Sequence, residues 1–294
     1  MEDTKIKVGK YTFNISHPRK VLYPEQGITK KNVVEYYKRI SETMLPHIKG
    51  RLLVMHRFPD GIDGEDFYQK TVPDYFPDWI KRKSIQLEKG GTDLMMLIEK
   101  AADLVYLAGQ ACLVPHIWLS TESKLHRPDK IIFDLDPEGN GFEKVKSVAK
   151  KMKHIFEEMN LKPFVMTTGS KGLHVVSPIK RDHTFDEVRE FAKKTAQRIS
   201  EEDPDEVTIE THKKKRKGRL FLDYLRNAYG QTAVAPYALR ALRGAPVAAP
   251  LDWEELEDSD LNPQSYTIEN IFRRLGNKKD PWSRIKKCAR TLKL

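Results

Sequence analysis

Apolar residues recur at helical spacing in several parts of the chain. Thr29 has a side chain that suits the N-cap of the first such segment, and Thr92 suits the second, which Gly109 would end. We expect each apolar stripe to pack into the core. The pattern predicts helices over residues 29–48, 92–108, 142–159 and 185–199.

Shorter runs of β-branched, aromatic and aliphatic residues predict strands between these helices. The alternation of the two kinds of element is typical of an α/β or α+β protein. The predicted strands cover residues 52–57, 131–136, 164–168, 173–178 and 219–225.

The composition describes a basic globular chain. Its 294 residues include 52 Lys and Arg against 42 Asp and Glu, a net charge of +10 that favours a polyanionic partner. The 39% of hydrophobic residues excludes a disordered chain. No apolar run approaches the ~18 residues of a membrane span, and the N-terminus lacks the apolar core of a signal peptide, so we expect a soluble cytoplasmic protein. Two distant cysteines, Cys112 and Cys288, exclude a disulfide scaffold or a zinc knuckle.

The segment KIIFDLDP, residues 130–137, holds the most informative carboxylates. Side chains alternate along a strand, so Asp134 and Asp136 face the same side. Their mutual repulsion favours a bound divalent metal, although one could instead cap the next turn while the other is solvated. A second apolar strand, RLFLDYL, carries Asp223. If the two strands are neighbours, three carboxylates would hold two metal ions for phosphoryl transfer.

A DxD motif after an apolar strand also occurs in haloacid-dehalogenase-type phosphatases, where the first Asp is the nucleophile. Their pattern continues with Gly-Thr, whereas this chain has Pro137 and Glu138. No later acidic pair of the kind those enzymes require is evident.

A glycine-rich turn, TTGSKGLH, lies between the two acidic strands at residues 167–174. Glycines let backbone amides approach phosphate oxygens closely, and hydroxyls and a lysine add donors and charge. The P-loop pattern GxxxxGK[ST] is absent. The candidate phosphate ligands are Thr168, Ser170, Lys171, Gly172 and His174.

Taken together, FDLDP, TTGSKGLHVVSP, KKKRKGRLFLDYLRN and AVAPYALRALRGAPVAAPLDW resemble the polymerase domain of bacterial and archaeal non-homologous end-joining DNA ligases. That domain is part of the archaeo-eukaryotic primase superfamily. The resemblance covers nearly the whole chain, from HPRKVLYPEQGITK onward. It implies a primase-like fold, with central sheets that carry the acidic site and helices that flank them. No KxDG adenylation motif is present, so we expect a stand-alone polymerase whose ligase is a separate chain.

The resemblance implies one domain over residues 1–294, with DNA-end elements in 1–115 and catalytic elements in 116–294. Asp134, Asp136 and Asp223 match the catalytic metal ligands. The remaining nucleotide-binding matches are His116, Thr168, Ser170, Lys171, Gly172, His174, Arg216 and Arg240.

Two of these matches have simpler alternatives, and one expected arginine is replaced. Ile117 replaces the proline of the family's HPW motif, and a lone histidine such as His116 also suits a core position. Arg216 lies in the basic run HKKKRKGR, which a solvated loop would equally explain. A second family arginine is Leu242 here, with Arg243 one position later.

Lys20 and Lys30 match residues that grip the 5′-phosphate on the downstream side of a gap, and Phe67 and Tyr68 match an aromatic pair that stacks on the templating strand. Stacking on aromatic rings tolerates any base. Solvated lysines and ordinary core packing are the alternatives for these four residues.

The function that the resemblance implies is template-directed addition of nucleotides, with ribonucleotides preferred, to 3′ ends at DNA breaks and gaps. The expected cofactors are two divalent ions, Mn²⁺ or Mg²⁺. The expected partners are 5′-phosphorylated DNA, NTP or dNTP, Ku and a separate ATP-dependent ligase, in the cytoplasm and associated with the nucleoid. A non-catalytic module that bridges DNA ends through Lys20 and Lys30 is the alternative.

Overall fold

The computed structural model describes residues 3–86, 90–139 and 141–294. The chain divides into two compact units, and both contain helices and sheets, which confirms the predicted α/β (α+β) class. The first unit comprises Met1–Trp118, Val234–Val247 and Thr267–Phe272; the second comprises Leu119–Ala233, Ala248–Tyr266 and Arg273–Leu294.

The sheets of the first unit are antiparallel. Its elements are β1 (Thr4–Val8), β2 (Tyr11–Ile15), β3 (Val21–Tyr23), β4 (Ile28–Thr29), α1 (Lys30–Ile48), β5 (Arg51–Arg57), β6 (Phe67–Gln69), β7 (Arg82–Gln86), β8 (Thr92–Ile98), α2 (Ala101–Gly109) and β9 (Cys112–Trp118). The main sheet has the order β9-β5-β8-β7, and β6 pairs with β5; β15 is Thr232–Val234, and only its last residue belongs to the first unit. Strand β5 is therefore central, with β9 along one side and β8 and β6 along the other.

Helix α1 forms where its sequence pattern predicts it. The Thr29 hydroxyl accepts a hydrogen bond from the Asn32 N–H at 3.3 Å, and the Asn32 side chain accepts one from the Thr29 N–H at 2.8 Å. This reciprocal cap satisfies two backbone donors that the first turn would leave unpaired. The apolar stripe that includes Val33, Ile40 and Met44 is fully buried, which confirms its assignment to the core.

The predicted helix over 92–108 is wrong in its first half. Thr92–Ile98 is strand β8, which pairs with β5 and β7, and helix α2 begins only at Ala101. The apolar run from Leu94 to Ile98 fits a buried strand as well as a helix, and periodicity alone does not separate the two. Buried Asp103 instead starts the helix, because its carboxylate accepts hydrogen bonds from the Glu99 and Lys100 N–H groups at 2.8 and 3.0 Å.

The second unit is built on a mixed sheet. Its elements are β10 (Lys130–Asp136), α3 (Phe142–Glu158), β11 (Phe164–Thr167), β12 (Leu173–Pro178), α4 (Phe185–Glu202), β13 (Val207–Thr208), β14 (Leu220–Asp223) and β16 (Pro250–Leu251). The order is β13-β14-β10-β12-β11-β16, with β13 and β14 parallel and the remaining pairs antiparallel. Helix α5 (Ile271–Asn277) has its first two residues in the first unit and the rest in the second. The 3₁₀ turns of the second unit lie at Glu122–Lys124, Lys213–Lys215, Leu225–Asn227, Trp253–Glu257 and Ile285–Cys288.

Helices α3 and α4 bury their predicted apolar stripes in the core of the second unit. Val145, Val148 and Met152 of α3 are at most 1% exposed, and Val188 and Ile199 of α4 are equally buried. The predictions for both helices are therefore confirmed to within a few residues. All five predicted strands also form, because their runs are long and apolar enough to be distinctive. The other strands were not predicted, among them the buried seven-residue strand β9.

The predicted division of the chain between residues 115 and 116 stays a prediction. The first segment of the first unit ends at Trp118, so His116 belongs to the first unit. The first unit also takes Val234–Val247, and with it Arg240. The single polymerase domain stays a prediction. Among the described residues no helix is both long enough and apolar enough to cross a membrane.

Candidate active site

The carboxylates lie on two adjacent strands of the second unit. Asp134 on β10 is directly opposite Asp223 on β14, and Asp136 faces the same side of β10 two residues later. The side chains of Asp134 and Asp223 are each 17% exposed. Two strands that are distant in sequence thus present acidic side chains to one surface.

This arrangement disfavours ionised carboxylates. Burial raises the pKa of Asp136, and the charge of Asp134 raises it further, against the opposing charges of Lys171, Arg216 and Lys213. Burial also raises the pKa of Asp223, although the N–H of Leu225 donates a hydrogen bond to its Oδ1 at 2.8 Å. The carboxylates therefore hold negative charge that the surrounding protein only partly compensates.

Arg226 lies beside two of the carboxylates and was not among the predicted residues. Its Nη2 is 3.4 Å from Asp134 Oδ2, and its Nε is 3.6 Å from Asp223 Oδ2. The 3₁₀ turn Leu225–Asn227 directs the guanidinium back to the strand end. The spacing from Asp223, three residues in DYLR, is the only sequence signal that could have indicated this pair.

The donor set fits a hard divalent cation, because carboxylate oxygens are the ligands that Mg²⁺ and Mn²⁺ prefer. The raised pKa values of Asp136 and Asp223 mark a place where added positive charge would be stabilised. Within the described part of the chain, no three His, Cys, Asp or Glu side chains are already grouped to hold a metal ion. Ion binding would therefore require these side chains to converge.

His174 completes a row of polar residues across three strands. It is the β12 partner of Asp134, on the side opposite Asp223, and its Nε2 lies 3.5 Å from Asp134 Oδ1. The side chain is buried, and Nδ1 has no hydrogen-bond partner among the described residues. A buried ring nitrogen without a hydrogen-bond partner destabilises the folded state, so Nδ1 is a candidate atom for a hydrogen bond to a ligand.

The glycine-rich turn packs directly against the acidic strand. The Thr168 hydroxyl donates to the Gly172 carbonyl at 3.1 Å and accepts from the N–H groups of Ser170 and Gly172 at 3.3 and 3.2 Å. Thr168 therefore closes the turn, a structural role in addition to the predicted phosphate contact. Ser170 is partly exposed and Lys171 is exposed, as phosphate-binding side chains must be.

Gly172 is required by close packing. A Cβ at this position would lie 1.8 Å from the carbonyl oxygen of Leu135, the residue between the two aspartates of β10. Any side chain would push the turn away from the strand that carries the carboxylates.

Arg216 lies on the same surface as Asp136. Its guanidinium is 3.7 Å from the ring centroid of Phe221, which is the β14 partner of Asp136. Its Nε and Nη2 donate to the carbonyls of Glu210 and Thr211, both at 3.0 Å. The basic run is thus partly ordered rather than an extended solvated loop, and it brings positive charge to the acidic strands.

Asn227 is a second residue that the sequence reasoning missed. Its buried amide bonds the Ile132 N–H at 2.9 Å and the Ile132 carbonyl at 2.7 Å. It thereby anchors the 3₁₀ turn that carries Arg226 to the strand that carries Asp134.

Lys20 and Lys30 are neighbours in the first unit. The Lys30 N–H donates to the Lys20 carbonyl at 2.8 Å, and the Lys30 ammonium donates to the Ser16 carbonyl at 2.9 Å. Burial lowers the pKa of Lys30, and the charges of Lys20 and Arg57 lower it further. Lys20 forms an ion pair with Asp60 at 2.5 Å. Two adjacent cations, one of them buried, make an anion site chemically favourable.

Phe67 and Tyr68 are neighbours on β6 and are 44% and 59% exposed, which contradicts simple core packing. The Arg57 guanidinium lies 5.4 Å from the Phe67 ring centroid. His116 lies on β9, partly buried, with its ring edge-on to Tyr68 at 5.6 Å. It is therefore a partly accessible residue of this sheet rather than a core histidine.

Arg240 lies in the part of the first unit that follows β15. Its carbonyl accepts a hydrogen bond from the buried Tyr23 hydroxyl at 3.0 Å. Arg243 instead forms an exposed ion pair with Glu25 at 3.6 Å.

An acidic strand pair, a close-packed glycine turn and surrounding cations form an arrangement suited to metal-assisted chemistry on a nucleotide phosphate. The model of the family described as "LigD, primase-polymerase domain" matches residues 29–282, and the chain belongs to this family. The match argues against the phosphatase alternative and against a purely non-catalytic module.

Relatives and a solved structure agree with this assignment. The chain is 34% identical over 250 residues to the multifunctional non-homologous end joining protein LigD of Mycolicibacterium smegmatis, covering 84% of this chain and 33% of that protein. It is 30% identical over 265 residues to the bifunctional LigD of Bacillus subtilis, covering 90% of this chain and 42% of that protein. It thus spans well under half of these relatives' length. The polymerase domain from Mycobacterium tuberculosis ligase D in complex with DNA superposes with a TM-score of 0.88 at 30% identity, covering 94% of this chain and 99% of that one.

Proposed function

We propose that this protein adds nucleotides to the 3′ end of a DNA strand at breaks and gaps, directed by a template, during non-homologous end joining. The observation that carries the proposal is the direct pairing of Asp134 with Asp223 beside His174, in a chain of the LigD primase-polymerase family. Ribonucleotides are the preferred substrates in this proposal, as the family resemblance suggests.

Asp134, Asp136 and Asp223 would hold two divalent ions, Mn²⁺ or Mg²⁺. When bound, such ions supply activation of the primer hydroxyl and neutralisation of the pyrophosphate leaving group. The protein's own contribution is to present the carboxylates on rigid paired strands. Arg226, which contacts two of them, limits their repulsion before the ions bind.

The glycine-rich turn would bind the triphosphate. Ser170 and Lys171 are the exposed donor and cation, and Gly172 allows the turn to lie against β10. His174, with its unpaired buried nitrogen, and Arg216, beside Asp136, would add contacts to the phosphates. His116 and Arg240 are proposed as further nucleotide contacts, near the sugar and the triphosphate.

Lys20 and Lys30 would bind the 5′-phosphate of the downstream strand, a role that their adjacency and the lowered pKa of Lys30 support. Phe67 and Tyr68 would stack on the templating strand. Ku and an ATP-dependent DNA ligase activity are the proposed partners, in the cytoplasm at the nucleoid.

Primer extension on a gapped duplex tests the proposal. The unmodified protein should extend the primer with ribonucleotides and Mn²⁺, according to the template base. Asp223→Asn should reduce extension by about 100-fold or more, since metal-ion stabilisation is worth several kcal/mol in the transition state. Binding to the 5′-phosphorylated gap should stay within about twofold, because the DNA-end residues are unchanged.

Asp205→Asn is the matched control, because Asp205 is exposed in the acidic loop that follows α4. It should extend normally. Normal extension by Asp223→Asn would refute the metal assignment, and failure of the unmodified protein to extend would favour the end-bridging alternative.

A further inference from the structure

Three ring side chains form a ladder on one face of the first unit's sheet. Tyr68 on β6 is the direct cross-strand partner of His56 on β5. His116 on β9 is the partner of Val54, two residues from His56, and alternate residues of a strand share a face. The ladder therefore runs across three adjacent strands, Tyr68, His56 and His116.

The rings are in close contact. His56 and Tyr68 are stacked, with centroids 4.0 Å apart and planes inclined by 16°. Tyr68 meets His116 edge-on at 5.6 Å and 70°. These are the stacked and T-shaped geometries that aromatic rings prefer.

His56 is itself held in place. Its Nε2 lies 2.6 Å from Asp66 Oδ1, and its ring lies 4.4 Å from that of Phe58. The His56 side chain is only 15% exposed, whereas Tyr68 as a residue is 59% exposed. One face of the Tyr68 ring is therefore covered by a fixed imidazole, while much of the tyrosine is open to solvent.

Phe67 does not share this support. Consecutive strand residues point to opposite faces, and Phe67 lies opposite Arg57, whose guanidinium it contacts. The two exposed aromatic residues are thus not an equivalent pair. Tyr68 alone belongs to the His116 side of the sheet.

We infer that His56 is a positioning residue: by stacking beneath Tyr68 it fixes the ring on which the templating base stacks, next to His116. An exposed tyrosine without such support would sample several rotamers, and ordering it would oppose base binding. Because His56 already orders the Tyr68 ring, base binding does not have to supply the free energy of ordering it. The inference rests on the proposed function in that it takes Tyr68 to contact the template.

The test is His56→Ala, with template binding and turnover measured separately. On gapped DNA with 2-aminopurine at the templating position, the variant should bind about three- to tenfold more weakly and quench the fluorophore less, the scale expected for loss of one ring stack. In primer extension the KM for the templated nucleotide should rise by a similar factor, with kcat within about twofold. His56→Phe should restore the stack and most of the binding.

A double-substitution experiment distinguishes positioning from direct contact. If His56 acts through Tyr68, adding His56→Ala to Tyr68→Ala should weaken DNA binding by no more than about 1.5-fold further. A full additive loss would overturn the inference, as would unchanged quenching in His56→Ala or failure of His56→Phe to restore binding.

His154→Ala is the control, since His154 is an exposed histidine of α3 in the other unit, with its side chain 74% exposed. It should match the unmodified protein in every measurement. The fluorescence experiment needs no turnover, so the inference remains testable even if the protein fails to extend primers. That failure would refute the proposed polymerase alone.

Discussion

Gly172 shows how a single residue links the phosphate-binding turn to the acidic strand. The turn folds on itself through the Thr168 hydroxyl, and its last glycine abuts the Leu135 carbonyl. Leu135 lies between Asp134 and Asp136, so any displacement of the turn is transmitted to the strand end that carries the carboxylates. The glycine is a packing requirement as well as a means to expose backbone amides.

Gly172→Ala should therefore lower the free energy of unfolding by about 1–3 kcal/mol or more, the usual cost of overpacking. It should also weaken nucleotide binding, because the turn must move. Urea denaturation and nucleotide titration measure the two effects.

Gly276→Ala is the matched substitution, because a Cβ at Gly276 in α5 meets nothing within 4 Å. It should be neutral or should stabilise by up to about 1 kcal/mol, since alanine favours helix. Equal stability of the Gly172 and Gly276 variants would contradict the close-packing account.

At the scale of elements, a buried ion pair joins the 3₁₀ turn Trp253–Glu257 to α5. Arg274 donates to Glu255 at 2.7 Å and to the Pro250 carbonyl at 3.0 Å, and the Tyr266 hydroxyl donates to Glu255 at 2.8 Å. Burial by itself raises the pKa of Glu255, but the hydrogen bonds and charge of Arg274 outweigh it and lower that pKa. Arg274 of α5 therefore links the 3₁₀ turn Trp253–Glu257 to strand β16 by hydrogen bonds.

Glu255→Gln should consequently destabilise the protein at pH 7 by about 1.5–3 kcal/mol, the range for hydrogen bonds to charged groups. Because the folded-state pKa of Glu255 lies below its ordinary value of 4.5, its contribution is complete above that value. It is lost as the pH falls through the folded-state pKa. The difference in the free energy of unfolding between the variant and the unmodified protein should therefore shrink in acid. Chemical denaturation between pH 3 and pH 7 would measure it.

Glu257→Gln in the same turn is the control. Glu257 is 71% exposed and pairs with Lys150, so Glu257→Gln should lower the free energy of unfolding by less than about 1 kcal/mol at any pH. A difference for Glu255→Gln that grows in acid would contradict the assigned pKa direction.

Helices α1, α3 and α4 and the five predicted strands follow from local pattern, whereas several strands do not, among them β8 and β9. Segments α1, α3 and α4 carry uninterrupted 3.6-residue apolar stripes, which few alternatives can bury. The run Leu94–Ile98 has no such discriminating period, and pairing with β5 and β7 makes it a strand. Local pattern decides an element only where it excludes the competing one.

On the scale of the whole molecule, the net charge of +10 overstates the charge free to bind DNA. Many surface cations pair with acids of their own unit, as Lys150 does with Glu257 and Lys278 does with Asp252. Lys20 also pairs with an acid, Asp60, but the cation of Lys30 lies beside it, so this site holds two adjacent cations and one paired carboxylate. Binding should depend on such specific cations rather than on the total.

We therefore expect Lys20→Ala to remove the preference for a 5′-phosphorylated gap. It should also reduce the slope of log K against log salt by about one, the change for one lost phosphate contact. Binding titrations at several salt concentrations, with and without the 5′-phosphate, measure both.

Lys150→Ala removes the same charge from the net total and should leave the slope and the phosphate preference unchanged. A slope that falls equally in both variants would show that total charge, not the Lys20 and Lys30 site, governs binding.

The sequence by itself determined that Asp134 and Asp136 share a face, that three helices bury their stripes and that a glycine turn lies between acidic strands. These are short-range consequences of strand and helix periods. Only the tertiary structure decided that Asp223 lies opposite Asp134, that Arg226 pairs with both, that Gly172 abuts Leu135 and that His56 supports Tyr68. Such contacts join residues far apart in the chain, and their geometry depends on how entire sheets pair and pack, which no local pattern contains.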